Sequence, residues 1–285
     1  MKAQASCFGA GTIVNAIATG KGAAFGLAMR VTATAESTME PDGVRVRVPD
    51  GVDPALAMSG AQRVLRRSRR KAGLELSVDS EIPISRGLKS SSAVANAVVL
   101  ASARALGLEL EPFQIIRIGV DAALDAGVTI TGAFDDACAS FFGGIVVTDN
   151  RARKLLVADR FPEGLVAAVQ VPQRMITKPS LKGKDFSSIR PRVEEAFRLA
   201  LRGDYFRAME VNSAAYAPIL GIDETPAIRA RAAGAMAAGV TGAGPAIIAL
   251  VKPAHVEAVR KALDDGKSEV RVVSLNTLES REVVL

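Results

Sequence analysis

The chain has 285 residues, 49% of them hydrophobic and 4% aromatic, with a formal net charge of +6. That is enough apolar material for one large or two ordinary domains, packed by small and aliphatic side chains since there is no Trp. The two cysteines, Cys7 and Cys138, and one histidine, His255, exclude a disulfide scaffold and argue against a zinc centre or a serine-hydrolase triad, so a reduced, cytoplasmic protein is expected.

In chain order, Gln4 to Phe8 and Thr12 to Ala18 read as short strands, too interrupted by Gly, Ser, Thr and Asn for a signal peptide. Arg30 to Glu36 reads as a strand, and Val44 to Val48 alternates Val with Arg, the two joined by a turn at Pro41-Asp42-Gly43. Pro54 to Ala72 predicts a helix carrying Arg63, Arg66, Arg67, Arg69, Arg70 and Lys71, which account for the whole net charge of +6. A basic run can contact nucleic acid, but no aromatic residue lies within it to stack on bases, and a solvated helix face is the reading adopted. The strand Leu74 to Asp79 follows, then a helix over Ala93 to Leu106 that ends before Gly107. Next come a helix from Glu111-Pro112 to Gly127, a β-like Val128 to Thr131, a short helix from Asp135 to Phe142 and the strand Ile145 to Thr148. A domain boundary is placed in the charged stretch Asp149 to Arg160, giving units of 1–155 and 156–285. The second unit opens with the strand Leu165 to Val171 and a polar segment, Gln173 to Ser188, that reads as a mobile loop. Helices at Arg190–Leu201, Asp204–Tyr216 and Thr225–Ala238, the strand Ala246–Val251, a helix Ala254–Asp265 and the strand Glu269–Leu275 complete an α+β unit. Ala232 to Val251 is uncharged and long enough to span a bilayer, yet Gly239, Gly242, Gly244 and Pro245 break it, so no membrane segment is expected.

Three segments carry chemistry. Pro83-Ile84-Ser85-Arg86-Gly87-Leu88-Lys89-Ser90-Ser91-Ser92-Ala93 sets a Gly- and Ser-rich loop at a helix N-terminus, where free N–H groups and the helix dipole favour phosphate. It is not a Walker A loop, because Leu88 rather than Gly precedes Lys89-Ser90. Thr241-Gly242-Ala243-Gly244 precedes an apolar strand, where it is either a tight connection or a second phosphate loop. Asp135 and Asp136 are adjacent acids in an apolar stretch, costly to desolvate unless paired; they either cap the short helix or do proton chemistry.

Together these segments resemble the GHMP kinases. Members carry Pro-x-x-x-Gly-Leu-x-Ser-Ser-Ala, matched here from Pro83 with Ser92 in place of the final Ala, and a late Gly-rich loop like Thr241–Gly244. Within the family, Thr129 to Ser140 is most similar to the archaeal-type shikimate kinases. The resemblance implies an α+β, two-domain GHMP-kinase fold: an N-terminal α/β module like that of ribosomal proteins and a C-terminal ferredoxin-like module. It implies ATP and Mg²⁺ as cofactors and shikimate as a small-molecule partner, with another small-alcohol kinase, homoserine kinase first, as the alternative. The basic run and the ribosomal-protein-like module leave an RNA-binding protein as the alternative of a different class, but no nucleic acid and no membrane partner are expected. The resemblance places the ATP phosphates on residues 83 and 85–93, Mg²⁺ on Ser91 or its neighbour Ser90, and the catalytic role on Asp135, with Asp136 as alternate. Thr241, Gly242, Ala243 and Gly244, with Lys21 and Lys178, would approach phosphate and acceptor. Near the N-terminus many members show Pro-Gly-Lys and Gly-Glu-His elements; Gly20-Lys21-Gly22 stands in that region without Glu or His, which argues against mevalonate or galactose. A carboxylate-bearing acceptor also calls for a cation, with Arg86, Arg174 and Lys178 as candidates.

Overall fold

A computed structural model describes residues 1–40, 43–176, 181 and 183–284, with side chains described through residue 281. The turn expected at Pro41-Asp42 and the candidate Lys178 lie outside the described residues. The architecture rests on a long hairpin of β1 (Lys2–Val14) and β2 (Lys21–Thr38), antiparallel from Lys2↔Glu36 to Val14↔Ala23. The two short strands expected before Ala18 are therefore one strand, and β2 begins nine residues before Arg30. The glycines that interrupt the local strand pattern sit within the ladder, where cross-strand pairing overrides weak local β propensity.

One half of β2 pairs with β4 (Gly73–Ser80) and the other with β5 (Ile145–Asp149). β3 (Val44–Arg47) joins β4 in parallel, and β6 (Lys154–Asp159) joins β5. The charged stretch expected as a boundary is thus largely a hairpin of this first sheet. β11 (Arg281–Val284), which sequence reading missed, returns to pair with β1, making seven strands in all. Helices α1 (Ala55–Ser68), α2 (Ser90–Ala105), α3 (Pro112–Asp125) and α4 (Phe134–Phe142) pack with it. The alanines and serines of α2 are buried almost all round, which lets it lie between the sheet and its sister helices. Val128 to Thr131 is a loop rather than a strand.

The second sheet, in the order β10-β7-β9-β8, comprises β7 (Val166–Val171), β8 (Ala237–Val240), β9 (Ile247–Val251) and β10 (Glu269–Ser274), antiparallel throughout. With α5 (Arg190–Leu201), α6 (Tyr205–Leu220), α7 (Thr225–Ala232) and α8 (Val256–Leu263), it has the βαββαβ connectivity of a ferredoxin-like module. Helix α7 stops six residues short of the expected Ala238, because Gly234 turns the chain at φ +102° and residues 237–240 pair with β9. The uncharged stretch is therefore strand, loop, strand, and among the described residues no helix is long and apolar enough to cross a membrane. In the basic run Arg63 pairs with Asp125 at 2.8 Å and Asp121 at 3.6 Å, while Arg66, Arg67, Arg69, Arg70 and Lys71 are exposed.

Candidate active site

The phosphate-loop candidate enters α2 through strained backbone: Ser85, Gly87 and Lys89 all have positive φ, at 56°, 85° and 65°. The helix begins at Ser90, earlier than expected, so the three serines form its first turn. Lys89 at the N-cap offers no side-chain cap. The N–H groups of residues 90–92 thus have no capping oxygen, which is the arrangement that receives phosphate. Ser90 and Ser91 are half-buried and Ser92 is buried.

The glycine loop after β8 lies directly against this turn. Thr241 Oγ1 donates to Gly87 O at 3.0 Å and accepts from the Thr12 N–H at 3.1 Å, while the Gly242 N–H donates to Thr12 Oγ1 at 2.7 Å. Two glycines permit the approach: a Cβ on Gly87 would fall 2.1 Å from Thr241 O, and one on Gly242 3.0 Å from Gly87 Cα. Asn15 adds a bond to Gly242 O at 2.8 Å, and Tyr216 from α6 bridges Asn15 O and the Ala18 N–H at 3.0 and 2.9 Å. The end of β1, the serine loop and the glycine loop, far apart in sequence, are one hydrogen-bonded unit.

Both acids stand in the first turn of α4, whose N-cap is Ala133 at φ 49°. Neither is the N-cap residue, so the capping alternative does not describe them. Asp135 is 4% exposed, and its Oδ1 accepts from Asn150 Nδ2 at 2.8 Å. Its Oδ2 lies over Gly22, where an added Cβ would fall 2.1 Å away. Asp136 Oδ1 is 2.9 Å from the Lys89 ammonium, with both side chains largely buried. Burial first, and then the neighbouring Asp136, push the Asp135 carboxyl up to about 7, against the opposing pull of Lys89 and the Asn150 bond. Asp135, Asp136, Lys89, Asn15 and Gly242 line one small pocket roofed by Thr129–Thr131. This constellation can orient a phosphate chain, offset its charge with one ammonium and take a proton at one poised carboxylate.

Other candidates lie elsewhere. Arg86 donates from Nε to Pro172 O at 2.6 Å and from its two Nη atoms to Ile84 O and Gln173 O, bracing the serine loop against the end of β7. The Lys21 ammonium sits over the Phe197 ring at 5.5 Å. Arg174 is exposed, with Nη1 3.4 Å from Gly221 O. Sequence reading missed Thr12, Asn15, Thr148, Asn150 and Tyr216, none of which stands in a motif or at a telling spacing. Gly22 was legible only as part of a weak Gly-Lys-Gly element.

Family models for the GHMP kinase N-terminal domain and the GHMP kinase C-terminal region match residues 55–144 and 225–268. The chain is 42% identical over 276 residues to a shikimate kinase of Methanosarcina mazei, covering 96% of this chain and 93% of that one. It is 40% identical over 268 residues to a shikimate kinase of Pyrococcus furiosus, covering 89% and 93%. In fold it resembles the homoserine kinase of Cytophaga hutchinsonii, with a TM-score of 0.80 at 18% identity over 99% of this chain and 97% of that one. It likewise resembles the mevalonate kinase of Methanococcus jannaschii, with a TM-score of 0.75 at 16% identity over 96% and 98%.

Proposed function

The chain belongs to the GHMP kinase family, and from that premise we propose that it transfers the γ-phosphate of ATP to the 3-hydroxyl of shikimate. The observation that carries the substrate is the 40–42% identity to archaeal shikimate kinases over most of both chains. The structures at 16–18% identity speak for the fold alone.

The chemistry follows from the pocket. Phosphoryl transfer needs positioning of the phosphates, neutralisation of developing charge and a route for the alcohol proton. The N–H groups that open α2 hold the phosphates, and the loop at Thr241–Gly244, its own N–H groups largely bonded within the protein, closes against them. Lys89 meets the charge on the transferring group. Asp135, poised near 7, takes the proton from the attacking hydroxyl. Asp136, held to Lys89 at 2.9 Å, keeps that ammonium in place rather than acting as base. Ser91 offers a hydroxyl oxygen, and among the described residues no three His, Cys, Asp or Glu side chains cluster as a metal site. This donor set fits Mg²⁺ brought in on the nucleotide, which prefers oxygen ligands and retains its waters; when bound, it would neutralise phosphate charge. With Arg86 committed to carbonyls, Arg174 is our candidate for the shikimate carboxylate. Its partner Gly221 precedes Ile222, which packs on Gly244 of the glycine loop.

ADP release measured with shikimate, homoserine and mevalonate, with the product identified by mass, tests the substrate. Shikimate turnover is expected; activity on homoserine alone overturns the assignment. Asp135→Asn tests the base and is expected to lower kcat by roughly 10²–10⁴ while leaving ATP binding intact.

A further inference from the structure

The Asp135 carboxylate sits in a socket built by residues that the phosphate loops and the acid pair do not include. Asn150, 3% exposed just beyond β5, grips Asp135 twice: Nδ2 donates to its Oδ1 at 2.8 Å, and Asn150 Oδ1 accepts its backbone N–H at 3.1 Å. Thr148 Oγ1 donates to that same Asn150 Oδ1 at 2.7 Å. Two donors on one amide oxygen settle which way the amide points, so the NH₂ group faces the carboxylate. The backbone N–H of Asn150 is tied to Gly20 O at 2.9 Å, joining the socket to the start of β2.

We propose that Asn150, oriented by Thr148, is a positioning residue for phosphoryl transfer: it holds the Asp135 carboxylate toward the pocket and favours its ionised form. The proposal rests on Asp135 being the base. The physical reason is that a buried carboxyl gains more from a donor when charged than when protonated, and Asn150 supplies one from a side chain that cannot itself titrate. Asp136 on α4 opposes ionisation and Lys89 at the head of α2 favours it. Cys138 on α4 and Tyr216 on α6 are themselves held neutral, mainly by burial, while Arg117 on α3 bears on Cys138. Lys21 on β2 turns to Phe197, and Asp149 on β5 accepts from the Ala152 N–H.

The test is a ¹³C carboxyl titration of the ligand-free full chain, with Asp135 assigned by loss of its signal in Asp135→Asn, together with kcat against pH. In Asn150→Leu the Asp135 midpoint is expected to rise from near 7 by about one pH unit or more. At pH 7 kcat should then fall about 5-fold beyond any pH-independent loss, and that extra deficit should close by about pH 9. Thr148→Val should shift the midpoint in the same direction by less, and Thr148→Ser should restore it. The Thr148 pair carries the test if Asn150→Leu does not fold. An unmoved midpoint in the folded variants, or an equal loss of kcat at both pH values, overturns the proposal. Turnover of homoserine instead of shikimate would overturn the substrate assignment while leaving the titration result standing.

Discussion

Replacing Gly22 by Ala isolates one geometric demand of the site. Gly22 lies on β2 opposite Thr148 and has no positive φ, so its backbone suits an alanine. What forbids one is the Asp135 carboxylate: the new Cβ would lie 2.1 Å from Oδ2 and 2.7 Å from Cγ. An ordinary contact between such atoms is about 3.5 Å, so the carboxylate must retreat by more than about 1 Å or the strand must bulge. Asn150, itself held by Thr148, pins the other carboxylate oxygen, which leaves movement along the pocket axis. A displacement of about 1 Å in a catalytic group can cost about 10²-fold. Gly22→Ala is therefore expected to lower kcat by roughly 10²-fold or more and stability by about 1–3 kcal/mol. The KM for ATP should hold, since the phosphate loops are untouched. Steady-state kinetics with thermal unfolding decides it. A folded Gly22→Ala enzyme with wild-type kcat would show that the Asp135 carboxylate does not need its place over Gly22, and the assignment of the base would fall with it.

The remaining expectations follow from the same geometry. Lys89→Gly removes the ammonium proposed to meet the charge on the transferring phosphoryl and should lower kcat by about 10²–10³-fold. It also relieves a left-handed backbone at φ 65°, which offsets part of the stability lost when Asp136 loses its partner, so thermal unfolding should change less than kcat. Thr241→Val keeps the shape but strands the Thr12 N–H and the Gly87 carbonyl. A loss of about 1–3 kcal/mol in denaturant unfolding and a raised KM for ATP are expected, and an unchanged KM would separate the loop contact from nucleotide binding. The elevated Asp135 carboxyl makes a signed prediction for stability. Its folded value, about 7, lies above the ordinary 3.8, so the folded state binds the proton more tightly. The group's contribution is full below about pH 4 and is lost as pH rises through 7. Asp135→Asn should accordingly unfold at a higher temperature than the wild type at pH 8 and lose that advantage at pH 4. No pH-dependent difference between the two proteins would contradict the buried-carboxylate description.

The segments that stand at a helix start were legible in the sequence because their signals are local. A Gly-Leu-Lys-Ser-Ser-Ser run before an alanine-rich helix needs only backbone N–H groups at one terminus, and paired Asp135-Asp136 in an apolar stretch already demands a partner. The long hairpin was not legible. Gly9, Gly11, Gly20, Gly22 and Gly26 weaken every local strand signal, and β1 and β2 owe their length to pairing with each other and with β4, β5 and β11. The same holds for the end of α7, where alanines that favour helix yield to the ladder between β8 and β9. The difference in surroundings between the two acids was also beyond the sequence. Asp135 and Asp136 are neighbours of identical type, and what separates them is that one meets Asn150 and Gly22 while the other meets Lys89. Those partners come from three other segments, so only the closing of the sheet around α4 brings them together. Sequence by itself determined which groups are available, because residue type and helix position act over one turn. Tertiary structure decided their partners and their surroundings, because charge and burial act through space.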